Sequence, residues 1–424
     1  MRLFHFGIKQ LFKIDKECMD SQAKSSGFDL KPLVIASICV LISGIAYGFG
    51  MNLFPMMIPE MAKDLYLDYT QIGTITGLGK VSVFLSIPLA GFLTSRMGGL
   101  RLIVGMQFIG AMLLAGLYVV KGFKSLFILN FFIQAWPMMT WVPLISVAVD
   151  YIPVRWRAAM LTLASSSGCF LILFDGLISS FFIEHLHWRY LWLTVSLICL
   201  FSSLVSLMGL KYVDAWHRTG PLQIRKKKSS LKEVLGWLKS SNGIILNLIF
   251  LITGLSFVTF QVYLAPYLRD ELHVGLDITA LMWSTMGISG ALGGVLFGLI
   301  TDRIGVRISQ SLIFLSGLGA TAFLFLSTSF FSIFSMALLF GISQATIYAM
   351  GPAYISKMLS ARPAAKVFTI GTMTMTSGAL LGNFLGGWSK GITDTFNWLY
   401  IAAGTLFACG ALLSLLLTPE DQYH

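Results

Sequence analysis

The chain has 424 residues, of which 56% are hydrophobic and 12% charged, with 30 Lys and Arg against 19 Asp and Glu. Soluble domains carry about 25% charged residues. Apolar stretches recur here from near residue 32 to near residue 418. This pattern excludes a soluble enzyme, a disordered chain and a secreted disulfide scaffold, and it is typical of a polytopic membrane protein.

Membrane-crossing helices need about 20 mostly apolar residues, and about twelve such segments follow one another along the chain. We therefore predict an all-α polytopic membrane protein with twelve transmembrane helices in two six-helix bundles. The predicted spans are 32–58, 70–94, 100–120, 124–151, 157–182, 189–211, 243–267, 276–300, 307–327, 329–356, 364–389 and 395–418.

These spans divide the chain into a segment 1–31, a bundle 32–211, a basic loop 212–242, a second bundle 243–418 and a tail 419–424. The first segment has two interpretations, an amphipathic helix on the membrane surface or a disordered tail. Within the loop, apolar residues at helical spacing predict a short surface helix. These residues are Leu231, Val234, Leu235 and Leu238.

The basic residues predict the orientation of the chain in the membrane. With a cytoplasmic N-terminus, about 23 of the 30 Lys and Arg lie on the cytoplasmic side, and the loops on the other side are acidic. Because short cytoplasmic loops are enriched in Lys and Arg, we expect both termini to be cytoplasmic. The net charge of +11 therefore reflects orientation, and no nucleic-acid partner is expected.

The two halves of the sequence repeat each other. Gly91-Phe-Leu-Thr-Ser95-Arg96-Met-Gly98 follows span two, and Gly298-Leu-Ile-Thr-Asp302-Arg303-Ile-Gly305 follows span eight. Pro143 to Arg157 aligns in the same way with Pro352 to Lys366. The offset is about 207–210 residues and includes six spans, so the repeats are parallel and related by a pseudo-two-fold axis along the membrane normal.

The loop motif resembles a signature of the major facilitator superfamily. The complete copy consists of Gly298, Asp302, Arg303, Gly305 and Arg307. The first copy consists of Gly91, Ser95, Arg96, Gly98 and Arg101, with Ser95 where the family has Asp. Asp150-x-x-Pro153-x-x-x-Arg157 at the end of span four also fits the family pattern. The resemblance covers about residues 32–418 and implies a secondary transporter.

The resemblance also implies that spans two and eleven flank each other across the halves, as do spans five and eight. Asp302 would then lie near Arg157 and help to close a cytoplasmic gate, since a helix N-terminus favours negative charge. Ser95 lacks that charge, which predicts a gate that is tighter on the side of spans five and eight. The alternative, that a Ser95 hydrogen bond suffices, stays open.

Two ionisable residues lie well inside predicted spans, Lys80 in span two and Asp175 in span five. Such residues are costly in a bilayer and usually functional. We expect Asp175 to carry the coupling proton and Lys80 to bind an anionic substrate. The alternatives are a structural Lys80–Asp175 ion pair and a Lys80 side chain that extends to the membrane surface.

The resemblance implies that spans one, four, seven and ten line a central cavity. Their polar and aromatic residues are candidate substrate ligands, and helix packing is the alternative role for them. The candidates are Tyr47, Asn52, Gln134, Trp141, Gln261, Tyr263, Gln344 and Tyr348. Aromatic and amide side chains together suit a ring-containing solute with several hydrogen-bonding groups.

Drug–proton antiporters of this superfamily typically carry an Arg in span four and a Gly-Pro pair in span five. This chain has Asn130 at about the first position and no Gly-Pro pair in span five. We therefore predict proton-coupled uptake of a small organic solute by a monomer in a bacterial cytoplasmic membrane, without a cofactor, a metal or enzymatic activity. The alternatives are an exporter of an amphiphilic drug-like or siderophore-like compound and a non-transporting sensor.

Overall fold

The structure, a computed structural model, describes residues 30–215, 231–359 and 361–419. In these residues we number twelve long helices and call the short helix Leu231–Leu238 the connector helix. The first half contains α1 (Leu30–Asp64), α2 (Tyr69–Met97), α3 (Gly99–Tyr118), α4 (Phe123–Tyr151), α5 (Val154–His185) and α6 (Trp188–Tyr212). The second half contains α7 (Ser241–Glu271), α8 (Leu276–Ile304), α9 (Val306–Leu326), α10 (Phe330–Met358), α11 (Ala361–Thr393) and α12 (Asn397–Leu416).

Eleven of these helices are long and apolar enough to cross a membrane. The remaining one, α11, has 33 residues but a more polar composition, with Thr372, Thr374 and Thr376 at alternate positions. It packs on α2 and α7. Length and composition therefore support eleven of the twelve predicted spans.

The predicted surface helix of the central loop is confirmed as the connector helix. The Ser240 hydroxyl follows it and accepts a hydrogen bond from the Gly243 backbone at 3.2 Å, which caps the start of α7. The predictions for the basic cluster 225–228 and the tail 420–424 lie outside the described residues, as does the segment 1–31 apart from its last two residues.

The sequence repeat is also a structural repeat. In the first half α1 packs on α5, α2 on α4 and α3 on α6, and in the second half α7 packs on α11, α8 on α10 and α9 on α12. The glycines after α2 and α8, Gly98 and Gly305, have φ angles of 85° and 82°. Only glycine adopts this backbone conformation readily, which explains why the loop motif contains glycine at this position.

Besides a π-helical last turn of α7, Tyr267–Glu271, helices α1 and α7 each contain one widened, π-helical turn within the helix, at Gly48–Asn52 and Gly254–Val258. In the first of these turns the Leu53 N–H bonds to the carbonyl of Gly48, five residues back. The two turns lie close to equivalent positions of the repeat. Such turns are frequent at functional sites, because they change the direction of the side chains that follow.

The halves meet along two pairs of helices, α2 with α11 and α5 with α8, as the resemblance implied. Glycines allow the close approach. A Cβ atom at Gly73 would lie 2.9 Å from the Gly387 Cα, and one at Gly287 would lie 2.5 Å from the Leu173 nitrogen. These contacts lie towards the end of the bundle where α1 and α7 finish and α2 and α8 begin, which we call the sealed end.

Towards the opposite end, which we call the open end, the same helix faces separate. Eighteen residues are five turns, so Gly91 lies on the α2 face of Gly73, and Gly298 lies on the α8 face of Ala280. A Cβ atom at Gly91 or Gly298 would meet no described atom within 4 Å. On α11, Thr369 lies five turns before Gly387 and is exposed. The space between the diverging halves is the cleft.

Candidate functional site

Below the sealed end, three amide side chains form a hydrogen-bonded chain across the two halves. Gln344 on α10 donates to Gln261 on α7. Gln261 Nε2 donates to Asn52 Oδ1 on α1 at 3.3 Å, and Asn52 Nδ2 donates to the Tyr47 carbonyl at 2.9 Å. All three amides are buried. Asn52 ends the widened turn of α1, so local backbone geometry positions this chain.

Aromatic side chains lie beside the amide chain. The Tyr47 ring meets the Trp141 ring of α4 edge to face, with centroids 6.2 Å apart. Tyr348 lies one turn after Gln344 on α10, and Tyr47, Trp141 and Tyr348 are each partly exposed. The structure thus brings six of the nine predicted substrate ligands to the level where the halves begin to separate.

Lys80 and Gln134 form a second polar contact, within the first half. The Lys80 Nζ donates to Gln134 Oε1 at 2.8 Å, and Lys80 is only 4% exposed. One turn before Gln134 on α4, Asn130 Nδ2 donates to the Ile75 carbonyl of α2 at 3.1 Å. Lys80 therefore lies between α2 and α4, bonded to an amide and not to a carboxylate.

Asp175 lies on the face of α5 that carries Gly168 and Leu171, and these two residues contact α1 at Tyr47 and Gly48. It is 1% exposed, and both carboxylate oxygens lack a hydrogen-bond partner among the described residues. An ionised carboxylate in this position would be very costly. The predicted alternative of a Lys80–Asp175 ion pair is not present in this structure.

Tyr263 lies apart from the other candidate ligands. Its hydroxyl donates to the Asn383 carbonyl at 2.5 Å, and its ring lies against Gly386 on α11. Asn383 in turn donates to the Thr76 carbonyl of α2 at 3.4 Å. Tyr263 is therefore part of the packing at the sealed end.

The residues of the predicted gate lie at the open end, where Arg96, Asp150, Asp302 and Arg303 are exposed, and Arg101 and Arg307 are partly exposed. Ser95 donates to the Phe92 carbonyl of its own helix at 2.7 Å. Arg157 donates to the carbonyls of Val149 and Ile152 at 2.6 and 2.9 Å. The described contacts of Arg157 thus lie in its own half, and the expected closed gate is not formed in this state.

Sequence reasoning missed the polar contacts that close the sealed end. Arg269 at the end of α7 pairs with Glu60 at the end of α1 at 2.5 Å, and Tyr69 donates to Asp270. Glu60 and Arg269 are 209 residues apart, as are Asn52 and Gln261. Because this offset matches the repeat, both pairs lie close to the pseudo-two-fold axis. The offset was the signal that could have found them.

Two parallel six-helix halves around a cleft that is sealed at one end define the fold class of secondary transporters. The sequence pattern of the Major Facilitator Superfamily matches residues 40–307 and 246–423. The chain belongs to this superfamily.

Solved transporters share the fold. A mutant form of the nucleoside transporter NupG is 12% identical, with a TM-score of 0.74, and the match covers 91% of this chain and 99% of that one. A bacterial homologue of the human lysosomal transporter Spinster, inward-facing and occupied, is 15% identical, with a TM-score of 0.68. That match covers 92% of this chain and 95% of the other. At these identities the likeness concerns the fold.

Proposed function

We propose that this chain is a secondary active transporter that imports a small organic solute with protons by alternating access. The observation that carries the proposal is the buried amide chain of Asn52, Gln261 and Gln344. It joins the two halves at the point where they diverge. Amides flanked by aromatic rings suit a ring-containing solute with several hydrogen-bonding groups.

The sealed end faces the outside in this proposal, and the cleft opens to the cytoplasm. The sealed end carries Glu60, Asp64, Asp68, Asp270 and Glu271, whereas the open end carries the Arg-containing loop motifs. The positive-inside rule then places both termini in the cytoplasm. In the opposite state the sealed contacts would break, and the Asp302–Arg157 contact would close the cytoplasmic end.

Asp175 is the proposed coupling site. A buried carboxyl without a protein partner is neutral only when it carries a proton. Its face of α5 lies against α1 next to the widened turn, so rearrangement of α1 would change its access to water. Binding and release of a proton at Asp175 can thereby be linked to the position of α1.

A thermal-shift screen of the purified protein, with organic anions, amino acids, sugars, nucleosides, siderophores and hydrophobic drugs, tests the proposal. Nucleosides are included because a NupG structure shares the fold. A ligand at 100 times its Kd stabilises the fold by about 2.7 kcal/mol. Hits are then tested for counterflow in liposomes, where a polar ring-containing solute is expected.

Three outcomes would count against the proposal. Stabilisation only by amphiphilic drugs, unaffected by Gln261→Met, would favour an exporter. Binding without counterflow would favour a sensor. Counterflow that is unaffected by Gln261→Met would show that the substrate site does not include the amide chain.

A further inference from the structure

We infer that the cleft has fixed and opposite hydrogen-bond polarity on its two sides, so that it selects a solute that offers an acceptor to the first half and a donor to the second. The inference rests on the proposed function, because it concerns the substrate class of the same site. It follows from two buried groups, the Lys80 ammonium and the Tyr47 carbonyl, that can each take only one role in a hydrogen bond.

The Lys80 ammonium sets the hydrogen-bond polarity of the first half of the cleft. An ammonium only donates, so the oxygen of the Gln134 amide must face it, as the 2.8 Å contact shows. The Nε2 group therefore points away from Lys80. Lys80 lies seven residues after Gly73, on the same face of α2, and Gln134 lies seven residues before Trp141, on the same face of α4. The inference places both faces towards the cleft, so that Gln134, which is 7% exposed, presents N–H donors to it.

The Tyr47 carbonyl, although it belongs to the first half, sets the hydrogen-bond polarity of the second half through the chain of amides. A carbonyl only accepts, so Asn52 turns its Nδ2 to Tyr47 and its Oδ1 to Gln261. Gln261 then donates through Nε2 and accepts through Oε1, which bonds Gln344 Nε2. The chain ends on Gln344, whose amide also contacts the Tyr348 hydroxyl one turn further along α10, and the Gln344 carbonyl oxygen is its last acceptor. Each amide that is free to flip in isolation is thus held in one orientation by its neighbour.

A planar group with adjacent C=O and N–H functions, as in a cyclic amide or imide, matches this arrangement. Its carbonyl would accept from Gln134, and its N–H would donate to Gln344. A solute with acceptors alone would offer the Gln344 oxygen no donor of its own, which costs affinity. Lys80 is accordingly a positioning residue that acts through Gln134 and not a counter-ion of the solute.

The orientation of the Gln134 amide can be measured without a substrate. The full-length protein, labelled with ¹⁵N-glutamine, is placed in nanodiscs, and exchange of the Gln134 Nε2 protons with water is followed by NMR. The signal is assigned by its loss in Gln134→Met. Gln107 is the internal control, because it is fully buried and its Nε2 donates to Ser202 Oγ at 3.0 Å.

We expect the Gln134 protons to exchange at least tenfold faster than those of Gln107 in the wild type. Lys80→Glu should slow them at least tenfold, because a carboxylate accepts and turns Nε2 towards itself. Lys80→Met removes the anchor without adding a charge and should slow the exchange less. This variant provides the test if Lys80→Glu does not fold. Protection equal to that of Gln107 in the wild type, or exchange that neither variant changes, would overturn the inference.

Affinity for uridine and 3-methyluridine provides a second readout. Uridine carries an imide N–H between two carbonyls, and methylation replaces that N–H. The wild type should bind uridine at least tenfold more tightly than 3-methyluridine. Lys80→Met should raise the KM for uridine with kcat little changed. Equal binding of the two probes would refute the acceptor on the second side. If no nucleoside binds, the proposed solute class fails, while the exchange measurement still decides the amide orientation.

Discussion

The ion pair between Glu60 and Arg269 should control the opening of the sealed end. The two side chains are 22% and 17% exposed, and their N–O distance is 2.5 Å. Since they belong to opposite halves, this contact exists only while the end is closed. Glu60→Gln would leave the Arg269 charge partly buried and without its carboxylate, which penalises the sealed state.

The size of the effect follows from the degree of burial. Exposed ion pairs contribute about 0.2–1 kcal/mol, and hydrogen bonds to charged groups contribute about 1.5–3 kcal/mol. For this partly buried pair we expect about 1–2 kcal/mol, which changes the ratio of open to sealed molecules by roughly 5–30-fold. The charge-swapped double variant Glu60→Arg with Arg269→Glu should restore much of the closed population.

Spin labels on either side of the sealed end measure this ratio. Tyr66 and His273 are exposed there on the first and second half, and Cys at these positions in a background without native cysteines gives one distance distribution. Asp64→Asn is the matched control, because Asp64 pairs with Arg189 at 2.9 Å within the first half. If Glu60→Gln and Asp64→Asn give the same distribution, or if the charge swap does not restore closure, the reasoning is refuted.

Three further variants test other parts of the structure. Asp175→Asn should abolish uptake driven by a pH gradient while counterflow persists; uptake that still follows the gradient would place coupling elsewhere. Gly73→Val should shift spin-label distances at the sealed end, because its side chain would meet Gly387, whereas Gly91→Val, five turns later on the same face, should not. A shift in both or in neither would contradict the packing. Ser95→Asp should slow transport by stabilising the cytoplasmic gate, and an unchanged rate and unchanged gate cross-linking would mean that the Ser95 hydroxyl suffices.

Much of the fold could be predicted from the sequence because its signals are local. Hydropathy predicted the helices, and the offset of the two loop motifs predicted the structural repeat. Gly98 and Gly305 stand where the backbone has a positive φ. The main departure concerns α11, which packs as a long helix although its Thr-rich sequence is less apolar than the other eleven.

The candidate site could be predicted only in part. The family resemblance indicated which spans carry the candidate amide and aromatic residues, but partners depend on how each helix is rotated and shifted against its neighbours. The Lys80 side chain meets Gln134, not Asp175, and Tyr263 packs at the sealed end. These choices follow from glycine-dependent approaches between helices far apart in the chain, which no local pattern contains.

The sequence by itself determined the class of protein, the two-fold repeat and the set of polar residues within the membrane, because composition and periodicity depend on each segment alone. Only the tertiary structure decided which end is sealed and which polar groups bond. A transporter sequence must be compatible with closure at either end. Glu60 pairs with Arg269 at the sealed end, and the loop motifs are the contacts that we propose for the other end. Which set forms is a property of the packed state and not of the sequence.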